Sequence, residues 1–155
     1  MPEPQWLTGS ELATWRALNL TLSRLPWALD RQLQRDAGVS FIEYYVLAIL
    51  SDADERTARM STIATLVDGE LSRISHLTKR LENRGLVQRE PDPTNRRFTN
   101  VTLTTEGVEL LRRAAPAHVA LVRRLVFAPL SPEDAATLRR IADAVNDAVD
   151  DLDTD

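Results

Sequence analysis

Cysteine is absent from the 155 residues. That excludes disulfides, thiol catalysis, thiol-based redox sensing and cysteine-ligated zinc. Histidine occurs only at His76 and His118. The chain has no His-Glu-x-x-His, no Gly-x-Ser-x-Gly and no phosphate loop, so nothing marks an enzyme, a bound metal or a cofactor. No apolar run approaches the roughly 18 residues of a membrane span. The opening MPEPQWLTGSE lacks a basic segment followed by an apolar one, so no secretory leader is read. These absences fit a cytoplasmic protein without a membrane segment.

What is present is a globular composition, 43% apolar and 27% charged, in a chain the size of one domain with a real core. The net charge is −4, but it is unevenly spread. Residues 56–100 hold nine Lys/Arg against five Asp/Glu, a net of +4. The remainder holds ten against eighteen, a net of −8. The last thirteen residues, DAVNDAVDDLDTD, carry six Asp and no base. A basic middle between acidic ends points to a polyanionic partner for the middle.

Most of the chain has helical periodicity. From Ser10 to about Arg35, Trp15, Leu18, Leu22, Leu25, Leu29 and Leu33 recur at three- and four-residue spacing. Pro26 predicts a kink there or a split into two helices, and Gly38 ends the segment. Ser40 and Glu43 form a capping box for a second helix, with Ile42, Tyr45, Val46, Ile49 and Leu50 as its buried stripe. SDADERTAR reads as a loop. MSTIATLV is a short helix, Asp68-Gly69-Glu70 a tight turn, and Leu71 to Arg84 a further helix stopped by Gly85. LVQRE and RFTNVTL read as two strands joined by the turn PDPTN. A helix capped by Thr104 or Thr105 runs to about Phe127, with a bend at Pro116. Ser131-Pro132-Glu133-Asp134 starts the last helix. Its Leu138, Ile141, Val145, Ala148 and Leu152 form a seam suited to a partner helix or to this chain's own helices.

The order helix, short helix, three-residue turn, helix, hairpin is the plan of a winged helix-turn-helix. In LSRISHLTKRLENRG, Ile74, Leu77 and Leu81 share one buried face. Ser72, His76, Lys79 and Asn83 project from the opposite side, with Ser75 on one flank and Arg73 and Arg80 on the other. Such a face suits a major groove: short polar groups and Lys or Arg reach base edges while the rest hold phosphates. Arg96 and Arg97 lie near the tip of the hairpin, placed to reach the backbone or minor groove.

These stretches resemble the MarR family of bacterial transcriptional regulators, over essentially the whole chain. Leu81-Glu82-Asn83-Arg84-Gly85-Leu86-Val87 matches the family's exit from the recognition helix. Asn95-Arg96-Arg97 followed by Leu103-Thr104 and Gly107 matches its wing. The resemblance implies a mainly helical fold with a small hairpin wing, and division into an N-terminal dimerisation helix (1–38), a DNA-binding lobe (39–103) and C-terminal dimerisation helices (104–155). It implies a homodimeric repressor that binds pseudo-palindromic double-stranded DNA. DNA contacts fall to Ser72, Arg73, Ser75, His76, Lys79 and Arg80, and on the wing to Asn95, Arg96 and Arg97. The dimer contacts fall to Trp15, Leu18, Leu22, Leu138, Ile141, Val145 and Leu152. It also implies release by a small aromatic ligand held near Trp15, Trp27, Tyr44 and Tyr45. One position departs from the pattern: Asn95 stands where the family has Asp, so the bond expected to hold the wing arginine is neutral and weaker, and the wing more mobile. A winged helix used only for protein–protein association is the alternative, and the basic stripe distinguishes the two.

Overall fold

The structure is a computed structural model and describes residues 4–67 and 69–152. Asp68 of the expected tight turn, and the final acidic residues 153–155, lie outside the described residues. Helix α1 spans Gly9–Ala37, α2 Phe41–Asp52, α3 Met60–Leu66 and α4 Leu71–Asn83. Strands β1 (Thr57–Arg59), β2 (Val87–Pro91) and β3 (Thr99–Leu103) form one sheet. Helix α5 spans Thr105–Val122 and α6 spans Pro132–Leu152. The chain forms two compact units, the first ending at His118 and the second starting at Val119.

Helix α1 begins earlier than Ser10. Thr8 is its N-cap, closed reciprocally by Glu11, and Gly38 ends it in the left-handed conformation. The helix is continuous through Pro26 rather than split in two. Both Pro26 and Leu22, whose carbonyl is left without its amide partner by the proline, are exposed, so solvent can replace the missing bond. Only Leu29, Gln32 and Leu33 of this helix are buried.

Helix α2 opens with the expected capping box: the Ser40 Oγ accepts the Glu43 amide at 3.1 Å, and Glu43 Oε2 accepts the Ser40 amide at 2.8 Å. Its buried apolar residues are Val46, Leu47 and Leu50, while Tyr45, placed by sequence on the inner stripe, is exposed. Leu47 is buried because α2 is covered on more than one side, by α1, α4 and the sheet.

SDADERTAR is not all loop. After α2 the chain reverses through Asp54–Arg56, where Glu55 and Arg56 both take positive φ. Thr57–Arg59 then forms β1, so the sheet has three strands in the order β1-β3-β2 rather than two. Thr57 faces Thr102 and Ala58 faces Val101 across an antiparallel ladder. The two threonine hydroxyls bond at 2.8 Å. Three residues carry no legible periodicity; it is the β3 partner, some forty residues on, that makes them a strand.

Below the sheet lies one core of Leu33, Val46, Leu50, Ile63, Ile74, Leu81 and Val101, all essentially inaccessible. Gly85 takes φ 73° after α4, where a side chain would be strained, and directs the chain into β2. Gly107 answers a different need. A Cβ there would overlap the Leu86 carbonyl and the Leu103 side chain, so glycine lets α5 seat against the start of the wing. Thr104 secures the same junction: its Oγ1 donates to the Gly85 carbonyl at 2.7 Å and accepts the Gly107 amide at 3.1 Å.

In the second unit α5 gives way to a π-turn at Arg123–Phe127, and Ser131 caps α6 reciprocally with Asp134. Pro116 sits within α5 without ending it. Among the described residues α6 buries no side chain in this chain, and Leu138, Ile141, Val145 and Leu152 are all exposed. No helix of the described residues is long and apolar enough to cross a membrane.

Candidate nucleic-acid interface

Helix α4 divides sharply. Ile74, Leu77, Thr78 and Leu81 are buried. Thr78 is tolerated inside because its hydroxyl donates to the Ile74 carbonyl at 2.9 Å and the Ser75 carbonyl at 3.1 Å. Ser72, Arg73, His76, Lys79, Arg80 and Asn83 are exposed, with Ser75 partly so. Helix α3 packs against α4, and α4 in turn packs on β2, so the polar face of α4 and the wing belong to one compact unit.

The basic residues of this region are of two kinds. Arg80 donates through Nε and Nη2 to Glu43 Oε1 at 3.2 and 3.1 Å, tying α4 to the start of α2. Arg84 donates to the Gly38 carbonyl at 2.7 Å, fixing the end of α4 to the end of α1. Arg89 donates through Nη1 to the Ser75 carbonyl at 3.3 Å, while its amide donates to Glu82. Arg59 is paired with Asp92. By contrast, Arg73, Lys79, Arg96 and Arg97 are exposed and, among the described residues, no side-chain bond engages their cationic groups. Four cations are therefore engaged in holding the unit together, and four on α4 and the wing face outward.

The wing loop is tied by several bonds besides those of Asn95. Asn95 Oδ1 accepts the Arg97 backbone amide at 3.1 Å, not its guanidinium. The Asn95 carbonyl accepts the Phe98 amide at 2.9 Å, and the Asp92 amide donates to the Phe98 carbonyl at 2.9 Å. Asp92 is buried beneath this loop. Its Oδ1 accepts the Thr94 amide (2.8 Å), the Thr94 hydroxyl (2.6 Å) and the Asn95 amide (3.3 Å). Its Oδ2 accepts Arg59 Nε at 2.8 Å. Bonds from Thr94, with Arg59 adding to them, hold the Asp92 carboxyl down at about 2. Neither Asp92 nor Arg59 is singled out by sequence. The one available signal is Asp-Pro-Thr-Asn, in which an aspartate opens a turn and caps the residues after it.

The remaining residues named from sequence fall elsewhere. Trp15, Leu18 and Leu22 are exposed on α1. Trp27 is exposed and stacks under the Arg31 guanidinium at 4.6 Å. Tyr45 lies parallel to Phe41, and Tyr44 packs on the ring of His118 with centroids 4.6 Å apart. No ring contact joins Trp15 or Trp27 to either tyrosine among the described residues. His118 is buried, and its Nδ1 lies 3.2 Å from Gln32 Oε1. Gln32 Nε2 donates to Asp36 at 2.9 Å, so the amide oxygen faces the ring and Nδ1 is the donor.

A helix-turn-helix flanked by a three-stranded wing, with a polar outward helix and two arginines at the wing tip, defines a winged helix-turn-helix protein. The MarR family model matches residues 42–99. The chain is 41% identical to Sco3205 of Streptomyces coelicolor, a MarR family transcriptional regulator crystallised in complex with DNA; the likeness covers 96% of this chain and 92% of that one, with a TM-score of 0.92. AbsC, a MarR family transcriptional regulator from the same organism, is 35% identical over 94% of this chain and 98% of its own, with a TM-score of 0.90. The HTH-type transcriptional regulator PecS of Dickeya dadantii is 31% identical over 78% of this chain and 75% of its own length. The chain belongs to the MarR family of transcriptional regulators.

Proposed function

We propose that the protein is a homodimeric repressor that reads pseudo-palindromic operator DNA through α4 and clamps it with the wing. The observation that carries this reading is the separation of the cations. Arg73 and Lys79 stand on the outward face of α4 and Arg96 and Arg97 on the wing tip, none of them engaged by a side-chain bond among the described residues. A lobe used only for association has no need of four unpaired cations on its outward helix face and wing. Ser72, Ser75, His76 and Lys79 supply base contacts, and Arg73 phosphate contacts. Arg96 and Arg97 enter or flank the minor groove, with Asn95 shaping the turn that presents them. Arg80 contributes less, because Glu43 already holds it.

Dimerisation is assigned to Trp15, Leu18 and Leu22 of α1 and to Leu138, Ile141, Val145 and Leu152 of α6. All are exposed in the single chain although their spacing is that of a buried seam. Two copies would then set two α4 helices about one turn of DNA apart. A small aromatic ligand near Tyr44 and Tyr45 completes the reading, supported by the cluster of Phe41, Tyr44 and His118 in the first unit.

Selection of binding sites from a random duplex library tests the reading. The expected product is a sequence with two inverted half-sites, altered at defined positions by Ser75→Ala, His76→Ala or Lys79→Ala. Identical profiles for the wild type and all three variants would place base readout elsewhere. Failure to select any duplex would favour a protein-association module.

A further inference from the structure

The geometry assigns the ordering of the wing to Asp92 and Arg59, which act as positioning residues for Arg96 and Arg97 in place of a carboxylate at position 95. The assignment rests on the wing being a DNA contact. Its first ground is topological. Strands β1 and β2 are both edges of the sheet, separated by β3. In register, Arg59 faces Asn100 and Pro91 faces Thr99. Asp92 follows directly on β2. The Arg59 side chain therefore passes over the start of β3 to reach it. The guanidinium lies 4.8 Å from the Phe98 ring centroid on the way. One ion pair thus joins the two edges at the point where the wing loop leaves the sheet.

The second ground is the division of labour on Asp92. Oδ2 is fixed from β1 while Oδ1 gathers the Thr94 and Asn95 amides. A carboxylate that is nearly inaccessible and satisfied on both oxygens holds its loop in one conformation. The loop it holds ends at the two arginines. Arg59 also directly precedes Met60, the first residue of α3. The wing tip is therefore registered against the helix-turn-helix itself. Arg59 lies in the basic segment and is partly exposed, so it resembles a phosphate-binding side chain in sequence; its two partners show it engaged within the fold.

The same geometry accommodates a neutral residue at position 95. The Asn95 amide already points at Asp92 Oδ1. A second carboxylate there would place like charges within one tight turn. Asn supplies the acceptor that the Arg97 amide needs without that repulsion.

Two measurements on the full-length protein test the assignment. The first is amide hydrogen exchange without DNA. Asp92→Asn and Arg59→Gln are expected to speed exchange at Thr94 and Asn95 by about tenfold or more, with the core amides of α4 unaffected. The second is affinity for a fluorescein-labelled duplex selected with the wild type. Either substitution is expected to weaken binding about tenfold and lower the salt slope, the same outcome expected on removing the wing arginines. In an Arg96→Ala/Arg97→Ala background the further weakening is expected to stay within about twofold. Asn95→Asp is not expected to restore Asp92→Asn. Unchanged exchange, simple additivity with the arginine variants, or rescue by Asn95→Asp would each overturn the assignment. A wild type that binds no duplex would instead remove the DNA reading, an outcome separate from unchanged exchange, which removes the anchor itself.

Discussion

Glu43 holds Arg80 across two helices: Oε1 accepts the guanidinium at 3.1 Å while Oε2 of the same carboxylate caps Ser40. Arg80 is half of a structural pair as well as a residue on the flank of the recognition helix. Glu43→Ala removes a cap and a buried partner at once. The expected cost is about 1–2 kcal/mol, read as a lowered midpoint in urea. Arg80→Ala is expected to leave the salt slope of DNA binding nearly unchanged, whereas Arg73→Ala lowers it by about one for the phosphate no longer neutralised. An equal fall in slope for Arg80→Ala would show that Glu43 releases it to the DNA.

Gly107→Ala tests the seating of α5 on the wing. The new methyl meets a backbone carbonyl, that of Leu86, which cannot move without distorting the turn after Gly85. Destabilisation of about 1–3 kcal/mol is expected despite the better helix propensity of alanine. A stabilised variant would mean that the junction relaxes freely.

Two groups act at separate points on the acid side of a pH profile. Burial lowers the pKa of His118 from its ordinary 6.5, so the folded protein favours the neutral ring more than the unfolded chain does. Its contribution is complete above 6.5 and declines as pH falls through that value toward the folded one. Thermal midpoints are expected to drop between about pH 7 and 5, and to drop less in His118→Asn. The Asp92 carboxyl, lowered from 3.8 to about 2, contributes fully above 3.8 and loses its contribution as pH falls toward 2. Wing amides should therefore stay protected at about pH 5. Exposure of these amides already at that pH would contradict the bonds drawn to Asp92.

Removal of residues from Ser131 onward deletes α6 with its exposed seam. The expected result is a monomer by light scattering, with the far-ultraviolet signal of the remaining helices retained. A dimeric mass would assign association to α1 alone.

The helical plan is legible because periodicity, caps and glycine stops agree: Ser40 with Glu43, Gly85 after α4, and Ser131 before α6 all take the expected places. Strand β1 is not, since Thr57–Arg59 becomes a strand only through pairing with β3. Nor is the unbroken helix through Pro26, because its exposed position lets solvent take the missing bond. At the interface, Arg73 and Lys79 can be placed by helical spacing alone. The roles of Arg59, Arg80, Arg84 and Arg89 cannot, because their partners Asp92, Glu43, Gly38 and Ser75 are distant in sequence. Charge counting marks a basic region, and only geometry separates the cations engaged in the fold from those left facing outward.

The central claim is that the outward face of α4 and the wing bind duplex DNA. It is tested most directly by titrating the full-length protein against the DNA flanking its own gene over a range of salt. The account predicts a complex whose affinity falls steeply with salt, with a shallower slope when Arg96 and Arg97 are both alanine. Binding that is absent, or indifferent to salt and to both substitutions, would contradict it.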